Sequence, residues 1–358
     1  MRPTREQEEL RSALRSLLTE HQGCDAYAPL TAQVGAAGLA VPEEYGGAGG
    51  GARDVQVLME ELGRCLSPLP CLGSSVLTAG ALLVSGDEEA CGRLLPALAD
   101  GSAVGSLAWA EQGSWEQEAV RAEAVPGPGG GRHLITGAKE HVLDWKDVDV
   151  LLVAARTAHG VSLFEVAPEA AGVRREAVVT MDQTRAQARW LLDGAEGRLL
   201  GTDGDGGRYL ERVRDLACTA LAAEQVGAAE RCLELTVEYA GNRVQFGRPI
   251  GSFQAVKHRL ADAYVLVESA RSAALGAAFA ADEDPGALPR AAAVAKSVCS
   301  EAFSAVAGEM IQLHGGIGIT WEHDAHRYFK RAHGAGELLG PPALHRARLA
   351  ADLGLAAR

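Results

Sequence analysis

Three stretches, 208–240, 252–281 and 286–313, are dense in Ala and carry apolar residues three or four apart over their whole length. Chains built this way have few options: long helices joined by short turns lie antiparallel and bury their apolar stripes against one another. In the second stretch Phe253, Val256, Leu260, Tyr264 and Val267 form one such stripe, predicted to be buried. Upstream the texture differs twice. Residues 1–105 show shorter helical patterns, "LRSALRSLL", "DVQVLMEELGRCL" and "EEACGRLLPALA", broken by the Gly-rich loop 41–54, with Asp54 expected as N-cap of the following helix. Residues 106–203 carry the β-branched or alternating runs "HLITGAKEHVL", "VDVLLVAAR" and "GVSLFEVA", separated by turns such as "PGPGGG". The expected fold is therefore α+β: an N-terminal helical domain (1–105), a central antiparallel β-domain (106–203) and a C-terminal helical bundle (204–358).

Charge and cysteine usage narrow the function. A net charge of −13, from 34 basic and 47 acidic side chains, argues against a nucleic-acid or anionic-membrane surface, which needs a concentrated positive stripe. The seven cysteines form no CxxC pair and no His/Cys cluster at zinc spacing, so no metal site is expected and reduced thiols in the cytoplasm fit best. The N-terminus reads as an amphipathic surface helix without a signal core, and no window is apolar enough for a membrane span.

Two segments look chemical. In "RVQFGRPIGSFQAVKHRLAD" (243–262) Arg243 ends a helix just before the Phe246-Gly247 break, so its guanidinium can give forked, charge-assisted bonds to a diphosphate. In "QLHGG" (312–316) Gly315 and Gly316 lack Cβ atoms, and backbone there can approach a ligand closely. Taken singly, each is also what a solvated helix end or a plain C-cap looks like.

Together and in this order, the 243–262 segment and "IQLHGGIGITWEHDAHRYFKRA" (311–332) resemble the acyl-CoA dehydrogenase family. "GAAGLAVPEEYGG", "EELGRCLSPLP", "LAWAEQG" and "LITGAKEHV" extend the resemblance over nearly the whole chain. The resemblance implies a helical N-domain, a β-barrel-like middle and a C-terminal four-helix bundle, with FAD lying between domains and across a subunit interface. It also implies that Arg243, Gln245, Phe246, Phe253 and Gln254, together with Gln312, Gly315 and Gly316, contact the FAD of a neighbouring subunit. Ser114, in the loop "WAEQGSWEQ", is carried over as a contact on the phosphate side.

Several family positions are changed. The α-proton base of most members, a Glu twenty-four residues after the first glycine of the pair, falls on Leu339; the alternative position, ten residues before a glycine matching Gly227, falls on Ala217. Leucine accepts no proton, which leaves Glu337 and Glu224 as the candidate bases. The residue whose hydroxyl should sit near flavin N5 is Leu143, and Pro341, Pro342 and Ala343 replace hydrogen-bonding groups. Positions that would face a neighbour's FAD are kept, whereas those facing the chain's own FAD and substrate are altered.

The resemblance therefore implies a subunit of a flavin-dependent acyl-thioester α,β-dehydrogenase, acting on a CoA or carrier-protein thioester and completing the FAD site of a homologous partner. The alternatives are a self-sufficient dimer or tetramer with a displaced base or with oxygenation or elimination chemistry, and a flavin-free scaffold.

Overall fold

A computed structural model describes residues 3–128, 130–143 and 148–355. Gly129 of the "PGPGGG" turn lies outside them. Helix α1 (Arg5–Glu20) starts at Thr4, whose hydroxyl accepts from Gln7 N while the Gln7 side chain accepts from Thr4 N. After α2 (Tyr27–Val34), helix α3 (Ala52–Arg64) begins one turn earlier than the sequence suggests. Its N-cap is Gly51, and Asp54 sits at the third helical position with its carboxylate accepting from Gly51 N. A wide π-type segment (Cys71–Thr78) leads into α4 (Ala79–Ser85), and α5 (Glu88–Ala99) closes the N-terminal part.

Strands β1 (Gly105–Ala108), β2 (Glu123–Pro126), β3 (His133–Leu143), β4 (Val150–Thr157), β5 (Gly160–Val166), β6 (Val173–Ala177) and β7 (Gln187–Leu200) form one sheet. Most pairings are antiparallel, as expected, but β1 runs parallel to β4 and β2 makes a parallel contact with it, so the sheet is mixed. Such a pairing joins segments more than forty residues apart, and local alternation carries no signal of it.

The bundle consists of α6 (Gly206–Asn242), α7 (Gln254–Glu283), α8 (Leu288–His314) and the shorter α9 (Ala325–Glu337), followed by α10 (Pro342–Asp352). A two-residue hairpin, β8 (Val244–Gln245) and β9 (Arg248–Pro249), joins α6 to α7. Helix α6 is the axis of the molecule: from Ala217 to Ala229 every residue is buried. Its crossing with α3 depends on two reciprocal glycines. A Cβ on Gly63 would lie 2.0 Å from Glu224 O, and one on Gly227 would lie 1.9 Å from Glu60 O. Each glycine thus admits the other helix's backbone at a separation no side chain permits.

The predicted stripe on α7 is only partly covered. Val267 is buried and Phe253, Val256 and Leu260 are half-buried, but Tyr264 is exposed, with Val265 and Leu266 beside it. Among the described residues, no helix is long and apolar enough to cross a membrane.

Candidate functional site

Of the residues that should surround the chain's own flavin and substrate, Leu143 and Leu339 lie in packed interior, whereas Pro341 and Pro342 are half-buried and Ala343 is exposed. Leu143, Ala217 and Leu339 are each at most 3% exposed and belong to one apolar cluster with Trp109, Trp115 and Leu338. The Trp109 indole donates to Trp115 O at 2.9 Å and the two rings meet edge to face at 5.2 Å. The gap bounded by Trp109, Trp115, Leu210 and Arg214 measures about 10 Å³, room for a single water.

Leu339 is held in that position from behind. Its backbone is left-handed, with φ +62°, and its carbonyl accepts from His345 Nε2 at 3.1 Å. The other ring nitrogen faces the Arg348 guanidinium at 3.4 Å, which in turn pairs with Asp215 at 3.0 Å. Burial, then the charge of Lys296, pushes the His345 imidazole down to about 3, so it is neutral at ordinary pH and a weak base. Cys218 Sγ lies 3.9 Å from the same ring, and burial pushes this thiol up to about 11. Lys296, also buried, closes the end of α9 by donating to Ala335 O at 3.1 Å and Gly336 O at 2.7 Å.

The two candidate carboxylates lie apart from this cluster. Glu224 is buried on α6, bonded to Arg185 and 3.5 Å from Arg331, which also approaches Asp182 at 3.4 Å. Both of its oxygens therefore face guanidinium groups. Glu337 is the last residue of α9 and exposed, lining a surface recess with Ser300, Glu301, Ser304 and His333. A larger cleft of about 720 Å³ opens beside Cys65, Gln183 and Tyr328. Its arginines, Arg15, Arg64, Arg231 and Arg327, each pair with an acid.

Ser114 occupies a tight turn with Glu111, and its hydroxyl accepts from Glu116 N at 3.2 Å. Glu111 is consumed by folding: it accepts from Arg121 N, Ala122 N and the buried Lys139 ammonium. Burial pushes Lys139 down to about 8 against the pull of that carboxylate.

A different surface forms where α6 and α8 end. Arg243 caps α6, its N–H donating to Tyr239 O at 2.8 Å, while its exposed guanidinium has no hydrogen bond or ion pair among the described residues. Gln245 bends back onto Val244 O, and Phe246, 93% exposed, is forced to φ +52° by the tight hairpin. Phe253 lies between Phe246, edge-on at 6.2 Å, and the Arg248 guanidinium 4.0 Å above its ring. Gln254 opens α7 on the exposed side, and Gln312 is exposed in the last turn of α8.

Gly315 needs its φ of +63°, yet a Cβ on it or on Gly316 would meet nothing within 4 Å. The bare backbone there opens outward. The two motifs are joined by Tyr239, one turn before Arg243, whose ring stacks on His314 at 4.3 Å and whose hydroxyl donates to His314 O at 3.2 Å. Sequence inspection does not single out Tyr239; the one signal available is its spacing of a helical turn from Arg243.

The fit to FAD divides accordingly. An unpaired guanidinium, open glycine backbone and exposed amides at 254 and 312 suit a dinucleotide arriving from outside. Among the described residues, Leu143 and Leu339 present buried apolar side chains where a flavin would meet hydrogen-bonding ones.

The profile "Acyl-CoA dehydrogenase, N-terminal domain" matches residues 4–102 and "Acyl-CoA dehydrogenase, C-terminal domain" matches 204–354. A protein named acyl-CoA dehydrogenase IpdE2, from Mycobacterium tuberculosis, is 41% identical over 96% of this chain and 95% of its own length. Among solved structures, the steroid ACAD Tcur3481-Tcur3483 is 33% identical with TM-score 0.87, covering 98% of both chains. The ChsE4-ChsE5 complex from Mycobacterium tuberculosis is 29% identical with TM-score 0.88, covering 100% of this chain and 99% of that one.

Proposed function

The chain belongs to the acyl-CoA dehydrogenase family of FAD-dependent oxidoreductases, and within it we propose that this polypeptide completes the flavin site of a partner subunit in a hetero-oligomer. The observation that carries this reading is the buried Leu339, bonded through its carbonyl to His345 where a proton-abstracting carboxylate would be needed. FAD supplies the hydride acceptor for α,β-dehydrogenation of an acyl thioester. This chain's part is to bind and orient: Arg243 neutralises the diphosphate, Gly315 and Gly316 let the adenosine half settle on backbone, and Phe246 and Phe253 wall the approach. Glu224 neutralises Arg185 and Arg331, and Glu337 is solvated; neither serves as the base.

Two further facts favour a partner. The turn and the adjoining helices expose Val244, Phe246, Tyr264, Val265, Ile319 and Trp321, apolar area of the kind that subunits bury. One similar structure is itself a complex of two named chains.

The test is to purify this chain alone, then co-expressed with a homologue that carries a Glu at the position of Leu339, and to record flavin absorbance. The chain alone should be colourless and the co-purified complex yellow, oxidising acyl-CoA through the partner's Glu. A homo-oligomer of this chain that retains stoichiometric FAD and dehydrogenates unaided would overturn the proposal.

A further inference from the structure

The two cofactor-facing segments are separate in sequence, and a dinucleotide held by both needs them at a fixed spacing. Three aromatic rings in contact, two stacked and one tilted, link them to each other and to the start of α9. Tyr239, near the end of α6, lies almost parallel to His314, the last residue of α8, at 4.3 Å and 24°. On its other contact His314 meets His323 at 4.4 Å. Each ring is also tied to backbone. The Tyr239 hydroxyl donates to His314 O, His314 Nδ1–H donates to Met310 O at 2.7 Å, and His323 Nδ1 accepts from Ala325 N at 3.1 Å, capping the start of α9.

From these contacts we infer that Tyr239, His314 and His323 are positioning residues: a three-ring strut that sets the distance between Arg243 and the Gly315–Gly316 backbone. The path is short. Arg243 N bonds Tyr239 O, Tyr239 bonds His314 O, and His314 precedes Gly315. Its far end fixes the entry to α9, so the glycine segment is anchored on both sides. The ring chemistry suits a spacer. His314 is 3% exposed and its Nε2 has no hydrogen-bond partner among the described residues, so the imidazole is retained as a flat, rigid element in contact with two other rings. A glycine pair with nothing packed against it would otherwise be the loosest point of the surface. The consequence for cofactor binding rests on the proposed reading of this surface; the strut itself does not.

Two measurements separate these levels. Hydrogen exchange on the chain alone should show amides 312–320 exchanging about fivefold faster in Tyr239→Phe, which loses one hydrogen bond but keeps the ring, and faster still in Tyr239→Leu. Amides in the 217–229 stretch of α6 should be unchanged. Unaltered exchange at 312–320 in Tyr239→Leu overturns the strut, as does acceleration spread evenly over α6, which marks ordinary destabilisation. In the co-purified complex, Tyr239→Leu should weaken FAD retention by about tenfold, in the same direction as Arg243→Ala. If Arg243→Ala leaves retention intact, the flavin-completing role fails and the strut is judged on exchange alone. If Arg243→Ala weakens it and Tyr239→Leu does not, the strut's part in cofactor binding fails.

Discussion

His345 Nε2 donates to Leu339 O at 3.1 Å, and this bond pins a left-handed leucine in the middle of an apolar cluster. Leu339 is there as packing. Leu339→Ala should cost about 2–5 kcal/mol by opening a cavity at a fully buried position. Urea unfolding measures it, and a cost below about 1 kcal/mol would mean that the site is looser than its burial indicates. Leu339→Glu, made in this chain alone, should restore no dehydrogenation, because Leu143 still presents no hydroxyl to a flavin.

The same imidazole sets a pH dependence. Its folded value is about 3, against about 6.5 for an unfolded histidine. Between these values the unfolded chain binds the extra proton, so this contribution to stability is complete above about 6.5 and declines as pH falls toward about 3. His345→Gln should therefore flatten the loss of stability between about pH 6.5 and 4.5 relative to the parent, measured by denaturant unfolding at fixed salt. An unchanged slope would show that His345 is not held neutral.

Glu224 tests the rival assignment of a base. Glu224→Ala leaves Arg185 and Arg331 facing an empty site and should destabilise by about 3–5 kcal/mol. Pairing it with Arg185→Met should recover part of that cost while leaving the complex active. Loss of turnover in a fully folded double variant would return Glu224 to the catalytic groups.

Arg243 carries the cofactor prediction. Arg243→Ala should lower FAD affinity of the complex by about tenfold or more, and Arg243→Lys should recover only part, since a point charge cannot fork onto a diphosphate. Flavin released on dialysis, followed by fluorescence, gives the answer. Unchanged affinity would remove the main support for the surface.

Gly63 and Gly227 are invisible as a pair in the sequence, yet each lies against the other helix's carbonyl. Gly63→Ala should destabilise by about 1–3 kcal/mol and shift α3 away from α6. Thermal unfolding and a crystal structure of the variant are the checks.

What is legible in the sequence is whatever is periodic or contiguous. The Ala-dense helices announce themselves because apolar spacing at about 3.6 residues persists over many turns. The Arg243–Gln254 and Gln312–Gly316 segments are legible because each is one short run. Contacts between distant positions are not: Cys218 and His345 are 127 residues apart, Tyr239 and His314 are 75 apart, and nothing local encodes either meeting. The parallel β1–β4 pairing is lost for the same reason. Tyr264 misleads in another way, since a stripe with helical spacing looks alike whether its cover comes from the same chain or from another.

The uncovered face has a consequence for the free chain as well as for the site. A solitary copy shows water the rings of Phe246 and Trp321 and the side chain of Ile319, surface that adheres to its own kind. Burial of these side chains by another subunit, a like copy or a homologue, would therefore raise the solubility of the chain as well as complete its surface.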